Sequence, residues 1–427
     1  MMRCLIGVFP ACRRLFVALS ACVLGVTLAA LPAPACAQAA QGWQASWTTA
    51  LQAIPRVAVT PPLYQPPPVA DRSVRQIIVP TLSGSEARIR LSNRHGTRPL
   101  VITGASIARS AVGAGIVPGT ERAVTFGASR TVVLQPGMEM DSDAIPFAIA
   151  RGVPVAISLA SGAGNVMQAW HRIAGRVNYV SSEGNHVGDV SGAAFSIRYT
   201  QYAWVTGLAV TSRHANAVVA IGDSITDGLR STFGANRSWP SVLATRLAAE
   251  GATPRGILNA GISGNRLLSD SPCYGDSLAS RLEHDALALP GVHTVVVLVG
   301  INDINFATMP ARQGLDCDYP HRHVSAADLI AGYRRVIAAA HRHGLRVLGG
   351  TLTPASLPPD REAVRLQVNR WIREGGGYDG VIDFDKALRD PGRPDRLQAT
   401  YDSGDHVHPS DAGYAAMARA VPLSLLD

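Results

Sequence analysis

Four separated positions in the second half of the chain carry residues of the types that acyl transfer requires. Ser224 directly follows an apolar run at 218–221, and its hydroxyl could serve as a nucleophile. The imidazole of His408 could take the hydroxyl proton, with a neighbouring carboxylate to orient the ring. Gly264 and Asn302 could offer N–H groups to a developing oxyanion. These residue types predict a site that attacks a carbonyl carbon.

The orienting carboxylate has two candidates. Asp405 lies three residues before His408, a separation that lets both side chains meet ahead of the final helix, and we assign it as the acid. Asp402 is its rival. His406 is displaced from His408 by two residues and is expected to point elsewhere.

Simpler interpretations exist for several of these motifs. By itself, Gly-Asp-Ser at 222–224 is also typical of a turn with a helix cap. Asp223 and Asp303 are expected to bond loop backbone rather than to react. The histidine pairs at 321/323 and 341/343 invite a metal interpretation, but no carboxylate or cysteine cluster completes either pair. We therefore predict no metal site and no cofactor.

The elements that must position these residues alternate between strands and helices. Apolar strands are predicted at 218–221, 257–260, 294–299, 345–348 and 381–384, and helices at 238–250, 325–343 and 411–420. Ser325 and Asp328 are typical of a capping box at the start of the second helix. This alternation predicts an α/β domain over 213–427, with a parallel sheet covered on both faces.

The chain ahead of this region has a different pattern. Residues 38–72 are rich in Ala, Pro and Gln, which predicts an extended lead-in with a poor core. Short alternating strands separated by Gly and Pro then predict a β-sandwich over 73–205, with its last strand at 195–199.

The first 37 residues are typical of an export signal. A basic start precedes an apolar stretch at 15–31, and Ala35-Cys36-Ala37 supplies a small-residue cleavage site. The apolar stretch is too short for a stable membrane span. We expect an exported protein, periplasmic or extracellular; a lipid anchor on Cys22 is the minor alternative.

Only two cysteines remain once this segment is removed. Cys273 and Cys317 suit one disulfide in an oxidising compartment, and two free buried thiols are the alternative. Whether such a bond stiffens the rim of the site or is a surface staple stays open.

The formal net charge is +8, yet the basic residues are scattered and nearly all are Arg. Without a clustered basic stripe, nucleic acid is not an expected partner. Lys386 is the only Lys, which makes a Ser–Lys dyad or a Schiff base improbable.

Residues 217–427 resemble the SGNH (GDSL) hydrolase family in four blocks that occur in the family order. These are Gly-Asp-Ser-Ile-Thr at 222–226, Gly-Ile-Ser-Gly-Asn at 261–265, Gly-Ile-Asn-Asp at 300–303 and Asp-His-Val-His at 405–408. The long β-rich region in front is most similar to a secreted bacterial branch grouped with xylanase-associated esterases and arylesterases.

The resemblance implies a three-layer α/β/α fold with a flavodoxin-like parallel sheet. It implies a Ser224, Asp405 and His408 triad, and an oxyanion hole made by the N–H groups of Ser224 and Gly264 and the amide of Asn302.

The function expected from these features is that of a secreted serine esterase acting on small-molecule or polysaccharide esters with short acyl groups, such as acetyl groups on carbohydrate. Two alternatives stay open: a lipase or phospholipase acting on longer acyl chains, and a non-catalytic glycan-binding or adhesion protein. The sequence shows no long apolar lid helix, which favours short acyl groups.

Overall fold

The computed structural model describes residues 42–56, 64–213, 216–308 and 317–426. The predicted signal segment, Cys22 included, lies outside these ranges. Within them, no helix has the length and apolar character needed to cross a membrane.

The front of the described chain is built from short strands in antiparallel sheets. The strands are β1 (Gly42–Thr48), β2 (Gln52–Ala53), β3 (Arg72–Ile78), β4 (Ala87–Ser92), β5 (Leu100–Arg109), β6 (Arg122–Ala123), β7 (Val132–Leu134), β8 (Glu139–Asp141), β9 (Val155–Ser161), β10 (Ala169–Trp170), β11 (Asn178–Glu183), β12 (Ile197–Tyr199) and β13 (Val205–Ser212). One sheet has the order β1-β13-β4-β8, and the other has the order β12-β11-β3-β9-β5-β6, with β7 on β5 and a separate β10-β2 ribbon. The predicted β-rich front region is confirmed.

Period-two alternation explains how these sheets bury one face. In β4, Ile89 and Leu91 are fully buried while Arg88 and Arg90 are only partly covered. The buried face joins an apolar cluster that also contains Val74 of β3. Alternation of apolar and polar residues therefore produces the core of the front region.

The expectation that residues 38–72 form a lead-in with a poor core is wrong for the described part of that segment. β1 pairs antiparallel with β13, and Tyr64 and Val69 are buried in the apolar cluster. The run Gly-Trp-Gln-Ala-Ser-Trp-Thr is a strand, although Ala, Gln and Ser weaken its apolar pattern. The segment at 195–199 is likewise not the last strand, because β13 follows it.

The second half forms one parallel five-stranded sheet. Its strands are β14 (Asn216–Gly222), β15 (Arg255–Gly261), β16 (Val292–Leu298), β17 (Arg346–Gly350) and β18 (Gly380–Ile382), in the order β15-β14-β16-β17-β18. This is the flavodoxin-like order, in which the first strand of the domain lies second in the sheet. The predicted parallel α/β fold is confirmed.

Helices cover this sheet. They are α1 (Ser224–Asp227), α2 (Trp239–Ala249), α3 (Leu278–Leu282), α4 (Ile301–Asn305), α5 (Ala326–Arg342), α6 (Pro359–Arg373), α7 (Phe384–Leu388) and α8 (Asp411–Ala420). The capping box predicted at Ser325 is present, because its side chain accepts from the Asp328 N–H and the Asp328 carboxylate accepts from the Ser325 N–H.

Helix α6 was not predicted, and its buried charge explains why. Arg365 is fully buried and pairs with Glu362 of the same helix and with Asp385 of α7. Charged residues at inward positions interrupt the apolar period by which an amphipathic helix is identified.

Strand β1 and the segment after β3 also contact the parallel sheet and the turn before β16. The Ala45 N–H donates to the Pro290 carbonyl at 2.8 Å, and the Ile257 N–H donates to the Thr81 hydroxyl at 3.0 Å. A Cβ added at Gly256 would lie 2.1 Å from the Ala45 carbonyl oxygen. The absence of a side chain at Gly256 therefore permits the close approach of β1 to β15.

Gly256→Ala is expected to destabilise the protein by about 1–3 kcal/mol, since the added methyl meets backbone and neither strand can move away freely. Urea unfolding at constant pH measures this change in the free energy of unfolding. Gly164→Ala is the matched control, because a Cβ there meets nothing within 4 Å. Equal stability of the two variants would show that the contact between β1 and β15 is loose.

Candidate active site

Ser224 stands at the carboxyl end of β14, at the start of α1. Asp223 caps this helix, with its Oδ1 accepting the Ile225 N–H at 3.0 Å. A side chain at Gly222 would lie 2.1 Å from the Leu298 carbonyl oxygen, so the strand end has room only for glycine. The Gly-Asp-Ser turn is therefore a helix cap that also presents a hydroxyl at the edge of the sheet.

An unbroken hydrogen-bonded chain runs from this hydroxyl to a carboxylate. Ser224 Oγ lies 2.8 Å from His408 Nε2, and His408 Nδ1 lies 2.8 Å from Asp405 Oδ2. The Asp405 Oδ1 accepts the backbone N–H groups of Val407 and His408 at 3.1 and 2.8 Å. The structure thus brings together the three residues predicted as a triad, in the geometry that activates a serine.

The ionised form of Asp405 is strongly favoured. Partial burial acts to raise its pKa, but the His408 backbone N–H and imidazole together hold that pKa well below its ordinary value. The carboxylate is therefore charged at neutral pH, as stabilisation of an imidazolium requires.

Asp402, the rival acid, contacts the other histidine. Its Oδ2 lies 2.6 Å from His406 Nδ1, and the His406 side chain is 68% exposed. The structure therefore places Asp405, and not Asp402, beside His408.

Gly264 requires a conformation that only glycine adopts easily. Its φ is +86°, and an added Cβ would lie 2.2 Å from the Tyr274 ring. Asn302, in the first turn of α4, donates one amide hydrogen from Nδ2 to the Asn265 carbonyl at 2.9 Å. The same nitrogen carries a second hydrogen that a bound oxyanion could accept.

A buried arginine that was not predicted holds these loops together. Arg281 donates to the carbonyls of Gly222 and Ala260 at 2.8 Å each, to Asn265 Oδ1 at 3.0 Å and to Asp285 Oδ2 at 3.0 Å. It connects the ends of β14 and β15 with the loop that follows β15. The sequence feature that could have indicated this buried role is an arginine among leucines in a short helix.

Asp223 and Asp303 serve the backbone, as expected. The Asp303 carboxylate accepts the N–H groups of Leu267 and Leu268 at 2.8 and 3.0 Å. Burial raises the pKa of Asp223 to about 7 and that of Asp303 to about 6, against the hydrogen bonds that favour their charged forms.

Cys273 and Cys317 form a disulfide between the loops that follow β15 and α4, so the alternative of two free thiols is wrong. Both cysteines are buried, and the next residue, Tyr274, packs against Gly264. This bond is internal, and it lies behind the loop of the candidate oxyanion hole.

The histidine pairs have protein partners. His321 faces the Phe306 carbonyl and Asp318, while His341 and His343 pair with Asp379 and Glu283. In the part of the chain that the structure describes, no group of three His, Cys, Asp or Glu side chains is arranged to hold a metal ion.

The second half of the chain matches a known family. Residues 220–416 match the GDSL-like Lipase/Acylhydrolase family and so form a GDSL-like acylhydrolase domain. The domain is that of a carboxylic ester hydrolase, as the resemblance implied. No curated protein shows a significant match to the chain.

Several solved structures are similar to part of this chain. One is an alpha/beta hydrolase from the metagenome of Lake Arreo, Spain, with 23% identity over 48% of this chain and 92% of that chain, at a TM-score of 0.36. Another is an acetylxylan esterase from Geobacillus stearothermophilus, with 23% identity over 48% of this chain and 91% of that chain, at a TM-score of 0.35. A third is a GDSL-like lipase from Bacteroides thetaiotaomicron, with 18% identity over 49% and 88%, at a TM-score of 0.34.

Asp223→Asn is expected to become more stable relative to the wild type as pH rises from 5 to 8. The raised pKa means that Asp223 contributes most to stability when it is protonated, and that this contribution is lost as pH rises through about 7. An Asn keeps the helix cap and carries no charge to bury. The difference in the free energy of unfolding should shift by on the order of 1 kcal/mol or more.

Urea unfolding of both proteins at pH 5 and pH 8 measures this shift. Asp328→Asn is the control, because the pKa of Asp328 is lowered by its hydrogen bonds to Ser325. Its carboxylate is then ionised in both folded and unfolded states across this range, so its effect should not change with pH. A pH-independent difference for Asp223→Asn would contradict the expectation.

Proposed function

We propose that this protein is an exported serine esterase that removes short acyl groups, such as acetyl groups on carbohydrate, by means of Ser224, His408 and Asp405. The observation that carries the proposal is the unbroken chain of 2.8 Å contacts from the Ser224 hydroxyl through His408 to Asp405. The GDSL-like domain supports ester hydrolysis as the reaction class.

Acylation begins when His408 Nε2 takes the Ser224 proton and Oγ attacks the ester carbonyl carbon. The negative charge that develops on the carbonyl oxygen is stabilised by the N–H groups of Ser224 and Gly264 and by the second amide hydrogen of Asn302. The imidazolium gives its proton to the leaving alcohol as the carbon–oxygen bond breaks, which leaves an acyl group on Ser224.

Deacylation repeats these steps with water. His408 takes a proton from the water, the resulting nucleophile attacks the acyl carbon, and Ser224 recovers its proton as the acid product leaves. Asp405 stays ionised throughout and stabilises the imidazolium in both halves of the reaction.

A short acyl group is supported by the scarcity of exposed apolar surface in the catalytic half. Among its described residues, the exposed large apolar side chains are Phe233, Tyr319 and Leu366, which come from three separate segments. A long acyl chain needs a contiguous apolar groove. Export is supported by the signal-like first 37 residues and by the disulfide, which suits an oxidising compartment.

Ser224→Ala is expected to reduce kcat for p-nitrophenyl acetate by about 10⁴-fold or more, because the hydroxyl that His408 contacts is lost. Asn302→Ala should reduce kcat by about 10²–10³-fold, because one oxyanion donor is lost while the nucleophile remains. Asn185→Ala, an exposed change in the front region, is the control. Melting temperatures verify that each variant is folded, and wild-type turnover by Ser224→Ala would refute the assigned nucleophile.

The acyl specificity is tested with p-nitrophenyl esters from acetate to decanoate, beside acetylated xylan. We expect kcat/KM to be highest for acetate and to fall at least about tenfold by octanoate, since each additional methylene finds little apolar surface. A maximum at long chains would instead support a lipase or phospholipase. Failure to hydrolyse every ester would support a glycan-binding or adhesion protein.

A further inference from the structure

A buried histidine of the front region reaches the catalytic domain. His171 follows β10, is 5% exposed, and lies with Nδ1 3.0 Å from the Ala50 carbonyl oxygen. Its Nε2 lies 2.9 Å from the Ile173 carbonyl oxygen and 3.1 Å from Asp227 Oδ1. Carbonyl oxygens only accept, so both ring nitrogens must donate, and the imidazole is therefore a cation paired with Asp227.

Asp227 connects this cation to the candidate site. It is the last residue of α1, three residues after Ser224, and its side chain is 5% exposed. Its second oxygen, Oδ2, accepts the backbone N–H of Ser263 at 3.0 Å and the Ser263 hydroxyl at 2.6 Å. Ser263 directly precedes Gly264, whose N–H is assigned to the oxyanion hole.

The front region contacts the other side of the same loop as well. Gln52 of β2 is buried, and its Nε2 donates to the Cys273 carbonyl at 2.6 Å. The next residue, Tyr274, packs its ring where a Gly264 side chain would otherwise project. The segment around Gly264 is therefore connected to two residues of the front region, His171 through Asp227 and Gln52 through the Cys273–Tyr274 segment.

We propose that His171 is a positioning residue for the oxyanion hole, acting through Asp227 and Ser263 on the N–H of Gly264. The inference rests on the proposed function, and it gives the front region a part in the ester hydrolysis itself. Without a donor at this position, the Oδ1 of buried Asp227 loses the hydrogen bond that His171 gives it, which is unfavourable enough to draw the carboxylate towards water. Ser263 and Gly264 would then move with it.

The expected effect is on turnover rather than on substrate binding. An oxyanion donor acts only when it lies close to the developing charge, and a displacement of about 1 Å can reduce the rate by about 10²-fold. The substrate itself contacts neither His171 nor Asp227 in this scheme, so KM should change little.

Two conservative variants separate positioning from a merely structural role. In His171→Gln, the amide nitrogen takes the place of Nε2 and can still donate to Asp227. In His171→Asn, it takes the place of Nδ1 and reaches only the Ala50 carbonyl. We expect His171→Asn to reduce kcat for p-nitrophenyl acetate by about 10- to 100-fold with KM changed less than about threefold, and His171→Gln to retain most of kcat.

His341→Asn is the matched control, because His341 also pairs with an aspartate, Asp379, but on a partly exposed surface. Its kcat should equal that of the wild type. Wild-type kcat in a folded His171→Asn variant would overturn the proposal. An equal loss in both His171 variants that follows their loss of melting temperature would also overturn it, because that pattern indicates a structural role alone.

If His171→Asn does not fold, the other end of the connection provides the test. Ser263→Ala removes the hydroxyl that donates to Asp227 and should lower kcat. A folded Ser263→Ala variant with wild-type kcat would overturn the proposal.

These outcomes are distinguishable from failure of the proposed function. An active Ser224→Ala protein would refute the nucleophile whatever His171 does. An inactive Ser224→Ala protein together with a folded, fully active His171→Asn protein would refute the positioning role alone.

Discussion

The candidate site depends on one buried guanidinium. Arg281 donates to the carbonyl of Gly222, two residues before Ser224, and to the carbonyl of Ala260, at the end of the adjacent strand. It also donates to the side-chain oxygen of Asn265, and the backbone carbonyl of Asn265 accepts a hydrogen bond from the Asn302 amide. Strand ends otherwise leave backbone oxygens to be satisfied by water or loops, and here one side chain satisfies two of them while joining the segments that carry Ser224 and Gly264.

Burial of the Arg281 guanidinium is unfavourable unless negative charges and hydrogen-bond acceptors surround it. The front region supplies part of the charged network around it. Asp285 pairs with Arg281 and also lies 2.5 Å from His284 Nδ1, and His284 Nε2 lies 2.5 Å from Glu139 of β8. A line of alternating charges therefore runs from the front sheet to the end of β14. The net contribution of this network to stability is small, because each charge loses hydration when it is buried.

The parts of the fold that follow local rules could be predicted from the sequence. The five parallel strands are short apolar runs, α5 begins at a capping box, and the residues at positions 224, 264, 302 and 408 follow strands or precede a helix. The contacts that could not be predicted join polar residues that are far apart in the sequence. Arg281 is 59 residues from Gly222, and His171 is 56 residues from Asp227, so no periodicity connects them. β1 and α6 were missed because their inward residues include polar or charged groups that only tertiary partners satisfy.

Two carboxylates near Ser224 have pKa values that their surroundings shift in opposite directions. Asp405 accepts hydrogen bonds from His408, which lower its pKa, and it keeps its negative charge where the proposed mechanism forms an imidazolium. Asp223 lies beside Ser224 in the chain, yet burial raises its pKa to about 7, which weakens its charge near the proposed oxyanion donors. A fixed negative charge there would oppose the oxyanion of the proposed mechanism. Desolvation of Asp223 and hydrogen bonding to Asp405 thus weaken the negative charge beside Ser224 and maintain it beside His408.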